Sequence, residues 1–262
     1  MKITNRDIEI LSFCHEQRFV TIHQIARKFY NVRNPYKCPL RRVNRMMEWG
    51  LVRTLKQGIG KTTLYVLGLK GIRELGNRGL LKGLGYVQGV NWKRYEQTIW
   101  LTDARIIFEK LGFTWGAGKT LEASNQTRRH LADAVAQKDG HAIQVVIDRE
   151  HWELDRYKLI FGKKDQGGAQ GILVYVVRDE KRRIWILRNA KYGERIYVIS
   201  IDEFRVREER AIFTNSSDGE LVLEDLIEPR KTPERDKRLE IFRKADRAYS
   251  GLYSRREREK AA

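Results

Sequence analysis

Two sets of side chains in this sequence have the types and spacing to do chemistry. The first is Arg41, Arg42, Asn44 and Arg45, followed by Lys56 and Lys61. Arginine presents a planar fork that pairs with guanine or phosphate, asparagine matches the edge of adenine, and lysine meets phosphate as a point charge. The second set is Asp133, Asp148 and Glu150, with Arg156 and Lys158 beyond them. Acids brought together from neighbouring strands supply hard oxygen ligands for Mg²⁺ or Mn²⁺. A metal held there activates water for attack on a phosphodiester, and Lys158 or Arg156 would stabilise charge at the phosphate. The plainer alternatives are a solvated basic helix face and ordinary strand-end acids.

The first set needs a helix and a hairpin to present it. Thr21-Ile22-His23-Gln24 has the form of a capping box, with Val20 and Ile25 placed as a hydrophobic staple. After a polar turn, Pro39 suits the first turn of a second helix. There Leu40, Val43 and Met47 share one face while Arg41, Asn44 and Arg45 share the other. Gly50 stops that helix. Strands at 51–53 and 63–67 then flank the glycine-rich, basic tip Lys56-Gln57-Gly58-Ile59-Gly60-Lys61. Upstream, Thr4 with Asp7 can cap a helix whose Ile8, Leu11 and His15 lie on one side. Helix, turn, basic helix and wing are the order of a winged helix-turn-helix, whose second helix enters the major groove. Lys56 and Lys61 would then reach the DNA backbone or minor groove.

The whole chain agrees with a polyanionic partner. It has 262 residues and a formal net charge of +18, with 41% hydrophobic and 33% charged residues. That allows two modest domains with real cores and makes nucleic acid the first candidate partner, ahead of an acidic membrane. Cys14 and Cys38 are the two cysteines. They form no Cys-x-x-Cys pair and no disulfide framework, so buried thiols in a reducing cytoplasm are expected. No apolar run approaches a membrane span and no signal-peptide core opens the chain. Gly58–Thr62 and Gly116–Thr120 each read Gly-x-Gly-Lys-Thr, yet Leu55 and Phe113 stand where a phosphate loop needs its first glycine. ATP binding is not expected.

The second set needs a sheet. Residues 77–91 are rich in glycine and read as a linker between a first domain at 1–76 and a second at 92–228. A long amphipathic helix over 92–111 ends at Gly112. Strands are expected at 131–136 and 142–148, joined by a turn at Lys138-Asp139-Gly140. A helix is expected at 152–161. The apolar run 171–177 reads as a strand covered on both faces, with further strands at 184–187 and 196–199. This is an α/β unit, or α+β, with a small mixed sheet. Residues 229–262 form a basic tail, read as an amphipathic helix with a disordered end, adding sequence-independent affinity through counterion release.

Three stretches carry a resemblance to a known family. They are Trp92-Lys93-Arg94-Tyr95-Glu96-Gln97-Thr98-Ile99-Trp100-Leu101-Thr102-Asp103-Ala104-Arg105, then His130-Leu131-Ala132-Asp133-Ala134, then Val146-Ile147-Asp148-Arg149-Glu150 with Arg156-Tyr157-Lys158. Together with the N-terminal helices and wing they resemble the replication-relaxation family of plasmid and conjugative-element proteins, over residues 1–177. That resemblance implies a restriction-endonuclease-like second domain and a role in nicking or relaxing plasmid DNA. The family tends to carry Pro-Asp where this chain has Ala132-Asp133, and Glu-x-Asp or Glu-x-Glu where it has Val146-Ile147-Asp148. A degenerate nuclease fold used for binding is therefore expected.

The expectation is a cytoplasmic DNA-binding protein of a plasmid or integrated mobile element, acting in replication, transfer or regulation. Its partners would be double-stranded DNA, other replication or transfer proteins and a second copy of itself, with no membrane. No cofactor is expected for a binder. The first alternative is a metal-dependent nickase using Asp133 and Asp148 as ligands, assisted by Glu150 and Lys158, with Mg²⁺ or Mn²⁺. The second is a transcriptional repressor.

Overall fold

The computed structural model describes residues 2–30, 36–55, 62–81, 86–89, 91, 94–117, 132–148, 172–189, 196–215 and 219–222. The chain divides into two compact units, Met1–Ile106 and Ile107–Ala262.

The first unit opens with three helices, α1 (Asn5–Gln17), α2 (Ile22–Phe29) and α3 (Lys37–Glu48). The capping box expected at Thr21 forms, and the cap expected at Thr4 is a second capping box. Thr4 with Asp7 closes α1 and Thr21 with Gln24 closes α2. Val20 and Ile25 are both buried in the unit's core, as a staple requires. Helix α3 ends where Gly50 takes φ +72°. Gly50 N–H donates to Met47 O and Leu51 N–H to Met46 O, which satisfies the last carbonyls of the helix. Strands β1 (Val52–Leu55) and β2 (Leu64–Leu67) then pair antiparallel, with Val52 opposite Leu67 and Leu55 opposite Leu64. Val20 bridges to Tyr65 through two backbone hydrogen bonds of 2.9 and 2.8 Å, adding a one-residue third strand. Helix α4 (Leu69–Asn77) closes against the chain leaving α3, where Gly68 N–H donates to Leu51 O at 2.8 Å.

The first compact unit extends beyond the glycine-rich passage, to Ile106. Helix α5 (Tyr95–Lys110) begins in it, and the division between units falls within that helix. Tyr95 and Ile99 pack with Phe19, Leu55, Leu64 and Val66 on the hairpin's second face. Polar contacts tie the same stretch to α1 and α2. Gln24 Nε2 donates to Ile99 O at 2.9 Å and to Asp103 Oδ1 at 3.0 Å. Thr102 Oγ1 donates to Gln17 Oε1 at 3.1 Å, and Arg105 meets Glu16 at 2.6 Å. Gln24 therefore caps α2 with its carbonyl oxygen and holds α5 with its amide group.

The second unit is built on a seven-stranded mixed sheet. Its strands are β3 (Thr114–Ala117), β4 (Ala134–Lys138), β5 (His141–Ile147), β6 (Ile172–Val177), β7 (Ile196–Ser200), β8 (Ile212–Asn215) and β9 (Gly219–Val222), neighbours in chain order. The β5–β6 and β6–β7 pairs are parallel and the others antiparallel. Asp139 and Gly140, at φ +50° and +78°, make the two-residue turn between β4 and β5. Strand β6 is buried almost throughout, as its continuous apolar run implies.

Residues 184–187, expected as a strand, lie inside helix α6 (Glu180–Asn189) instead. The Asp179 carboxylate accepts from Arg182 N–H at 2.9 Å and caps the helix. Ile186 goes into the sheet core while Ile184 is exposed. Helix α7 (Ile201–Arg207), capped by Ser200, puts Phe204 into an aromatic cluster with Phe108 and Phe213. The helix expected at 152–161 and the tail at 229–262 lie outside the described residues. The unit is of mixed α and β class, as expected. No helix among the described residues is long and apolar enough to cross a membrane.

Candidate functional site

Helix α3 carries the first candidate set. Its inner face is Val43 and Met46, both fully buried, with Leu40 and Met47 partly buried beside them. Pro39 falls in the first turn, where its missing N–H costs no intrahelical bond. Arg41, Asn44 and Arg45 are exposed on the other face, and Lys37 extends that face toward the helix start. Among the described residues the side chains of Arg41, Asn44 and Arg45 have no hydrogen-bond or ion-pair partner. Lys56 and Lys61 lie outside the described residues.

Arg42 differs from its neighbours. Its Nε donates to Asp7 Oδ1 at 2.7 Å and its Nη2 to Asp7 Oδ2, a two-point grip on a carboxylate that is 1% exposed. Nη2 also donates to Lys2 O at 3.3 Å, and the guanidinium lies 5.1 Å from the Trp49 ring centre. Burial pushes the Asp7 carboxyl up, yet hydrogen bonds from Arg42 and Thr4 outweigh it and hold the group below its ordinary value. The bond to Asp7 in turn raises the Arg42 guanidinium. The sequence places Arg42 at the DNA with Arg41 and Arg45; in the structure its guanidinium bonds Asp7 of α1. The residue that sequence reasoning missed is its partner Asp7, whose role as a cap concealed its role as a countercharge.

The acidic set is brought together in part. Asp133 lies one residue before β4 and Asp148 one residue after β5. These strands are antiparallel neighbours, so both acids sit at one end of the pair. Each is engaged there. The Asp133 carboxylate accepts from Ile147 N–H at 2.9 Å. Asp148 is fully buried and accepts from Tyr175 Oη at 3.0 Å and from Arg182 Nε at 2.6 Å, with Arg182 Nη2 at 3.4 Å. The Arg182 guanidinium stacks 4.4 Å from the Trp185 ring centre. Glu150 and Lys158 lie outside the described residues.

Among the described residues, Asp133 and Asp148 alone offer a divalent cation two carboxylates, and one of these is already paired. Mg²⁺ wants near-octahedral oxygen donors, and a guanidinium already neutralises one of the two carboxylates. No group of three or more His, Cys, Asp or Glu residues that could hold a metal occurs among the described residues. Tyr175 and Arg182 are the partners that sequence reasoning did not find. Tyr175 lies on the adjacent strand β6 and Arg182 on α6, and their separation from Asp148 along the chain gives no local signal.

The two cysteines are unlike. Cys14 is buried in the first unit's core and Cys38 is exposed in the first turn of α3. Burial pushes the Cys14 thiol up to about 12.

No family model matches the chain, and neither a curated protein nor a solved structure is similar enough to count as a match.

Proposed function

We propose that the first unit is a winged helix-turn-helix that binds duplex DNA, with α2 and α3 as its two helices and β1–β2 as its wing. The observation that carries this is the outer face of α3, where Arg41, Asn44 and Arg45 stand exposed together. A buried inner face fixes the helix, so these three side chains are presented rather than merely solvated. Fork-shaped donors flanking an amide suit the base edges of the major groove. The net charge of +18 adds attraction to any nucleic acid. The short strand at Val20, paired to the hairpin, supports the same fold.

The resemblance to the replication-relaxation family extends this to a role at plasmid or mobile-element DNA, in replication, transfer or regulation. On this reading the second unit resembles a restriction-endonuclease-like fold that positions or binds without cutting. The Asp148–Arg182 pair supports that half of the proposal, because it engages a carboxylate that a metal-dependent nickase would need.

One gel tests both halves. Supercoiled plasmid carrying the gene's own upstream DNA is incubated with the protein and Mg²⁺, Mn²⁺ or chelator, then loaded with and without protease digestion. A retarded band that returns to the supercoiled position after protease is the result expected of a binder. An open-circular product that needs metal and disappears in Asp133→Ala would establish the nickase instead.

A further inference from the structure

We infer that Arg42 is a positioning residue of the DNA-reading helix, acting through Asp7 and not by touching DNA. The inference rests on the duplex-binding proposal above. Arg42 sits between Arg41 and Val43, and successive helical residues are turned about 100° from each other. It therefore points away from the line of Arg41 and Arg45, toward α1. There its Nε and Nη2 are both spent on Asp7, Nη2 also meets Lys2 O, and the guanidinium lies over Trp49, the residue that ends α3. Asp7 is also held by Thr4, whose N–H and hydroxyl donate to Oδ2 at 2.7 and 2.8 Å.

The contact thus joins the first turn of α1 to the middle and end of α3. It sets the roll of α3 about its own axis, and that roll decides where Arg41, Asn44 and Arg45 point. Turning Arg42 toward DNA would leave a nearly fully buried carboxylate without its countercharge, a large penalty.

The test measures the affinity of the full chain for one mixed-sequence duplex across a salt series. The variants are Asp7→Asn, Arg42→Gln, the double variant and Arg42→Lys, each checked for folding by circular dichroism. A positioning role predicts that both single variants weaken binding by roughly 2- to 30-fold, the range of couplings transmitted through packed contacts. The double variant should be no weaker than the worse single, and the salt slope should stay that of wild type throughout.

A direct contact predicts the opposite sign for Asp7→Asn. Removing the acid frees the guanidinium and deletes a negative charge, so binding would tighten. It also predicts that Arg42→Gln lowers the salt slope by about 0.9, the value of one phosphate. Either result overturns the inference. Lower thermal stability with unchanged affinity of the folded protein overturns it too, since that is a purely structural role. If Asp7→Asn does not fold, Arg42→Lys decides. Weakened binding at unchanged slope supports positioning, whereas wild-type affinity refutes it, because lysine would serve a phosphate equally well. A wild-type chain that binds no duplex fails the underlying proposal, a different outcome from binding that ignores Asp7.

Discussion

Arg182→Met in the second unit is a demanding perturbation, because the charge it removes lies against a carboxylate with no exposed surface. The Asp148 side chain is 0% exposed and that of Arg182 18%. Breaking a buried ion pair from one side costs about 3–5 kcal/mol. The partial exposure of Arg182 and the uneven grip, 2.6 Å at Nε against 3.4 Å at Nη2, put the expected cost near the low end, about 3 kcal/mol. The Tyr175 hydroxyl remains, and a hydrogen bond to a charged group contributes about 1.5–3 kcal/mol, so Tyr175→Phe should destabilise by somewhat less. Replacing both charges removes the uncompensated carboxylate, so Asp148→Asn with Arg182→Met should be more stable than Arg182→Met alone. A chain with two units need not unfold in one step. Hydrogen exchange of the peptides covering β5 and β6 is therefore the assay. About 3 kcal/mol corresponds to roughly 100-fold faster exchange there when opening is at equilibrium. Exchange within threefold of wild type, or a double variant worse than the single, would refute the view that this buried pair stabilises the second unit.

Three further outcomes follow from the first unit. Asp7 is held below its unfolded value of 3.8, so its stabilisation is fully present above that pH and is lost as pH falls through the lower folded value. Urea midpoints between pH 5 and pH 2 should fall more steeply in wild type than in Asp7→Asn; parallel curves would contradict this. A water-soluble thiol reagent at neutral pH should modify Cys38 in the native chain and both cysteines in denaturant, since Cys14 is buried with its thiol pushed up to about 12. Two fast native thiols would refute the packing of α1. Gly71→Ala would put a Cβ 2.2 Å from Leu51 O. The helix preference for alanine, about 0.5–1 kcal/mol, should lose to that overlap, which costs about 1–3 kcal/mol. A lower thermal midpoint is expected, and a higher one would show that α4 is free to move off the chain at Leu51.

Much of the first unit was legible because its signals are local. Thr4 with Asp7, Thr21 with Gln24, and Gly50 each act within one turn of a helix end, and all three formed as their spacing implied. The turn at Asp139-Gly140 is of the same kind. What could not be read depends on partners distant in the chain. Among the contacts that hold α5 to the first unit is Gln24 meeting Asp103, and no pattern in either segment announces it. Residues 184–187 misled for another reason. Four apolar residues in a row suit a buried strand or one turn of helix equally well, and the Asp179 cap before them was the signal that decided it. The candidate sites divide along the same line. The exposed face of α3 followed from helical period alone, whereas the engagement of Arg42 and Asp148 required the fold.

The most direct test of DNA reading by α3 is fluorescence anisotropy with a labelled mixed-sequence duplex at moderate salt. Wild type is compared with the triple variant Arg41→Ala, Asn44→Ala, Arg45→Ala. None of the three side chains supports the core, so the variant should fold as wild type does. Wild type should bind and lose affinity as salt rises, and the variant should bind roughly 100-fold or more weakly, since each good base contact is worth about 1–3 kcal/mol. Equal binding by both would place the DNA contact elsewhere on this basic chain, and no binding by either would remove it altogether.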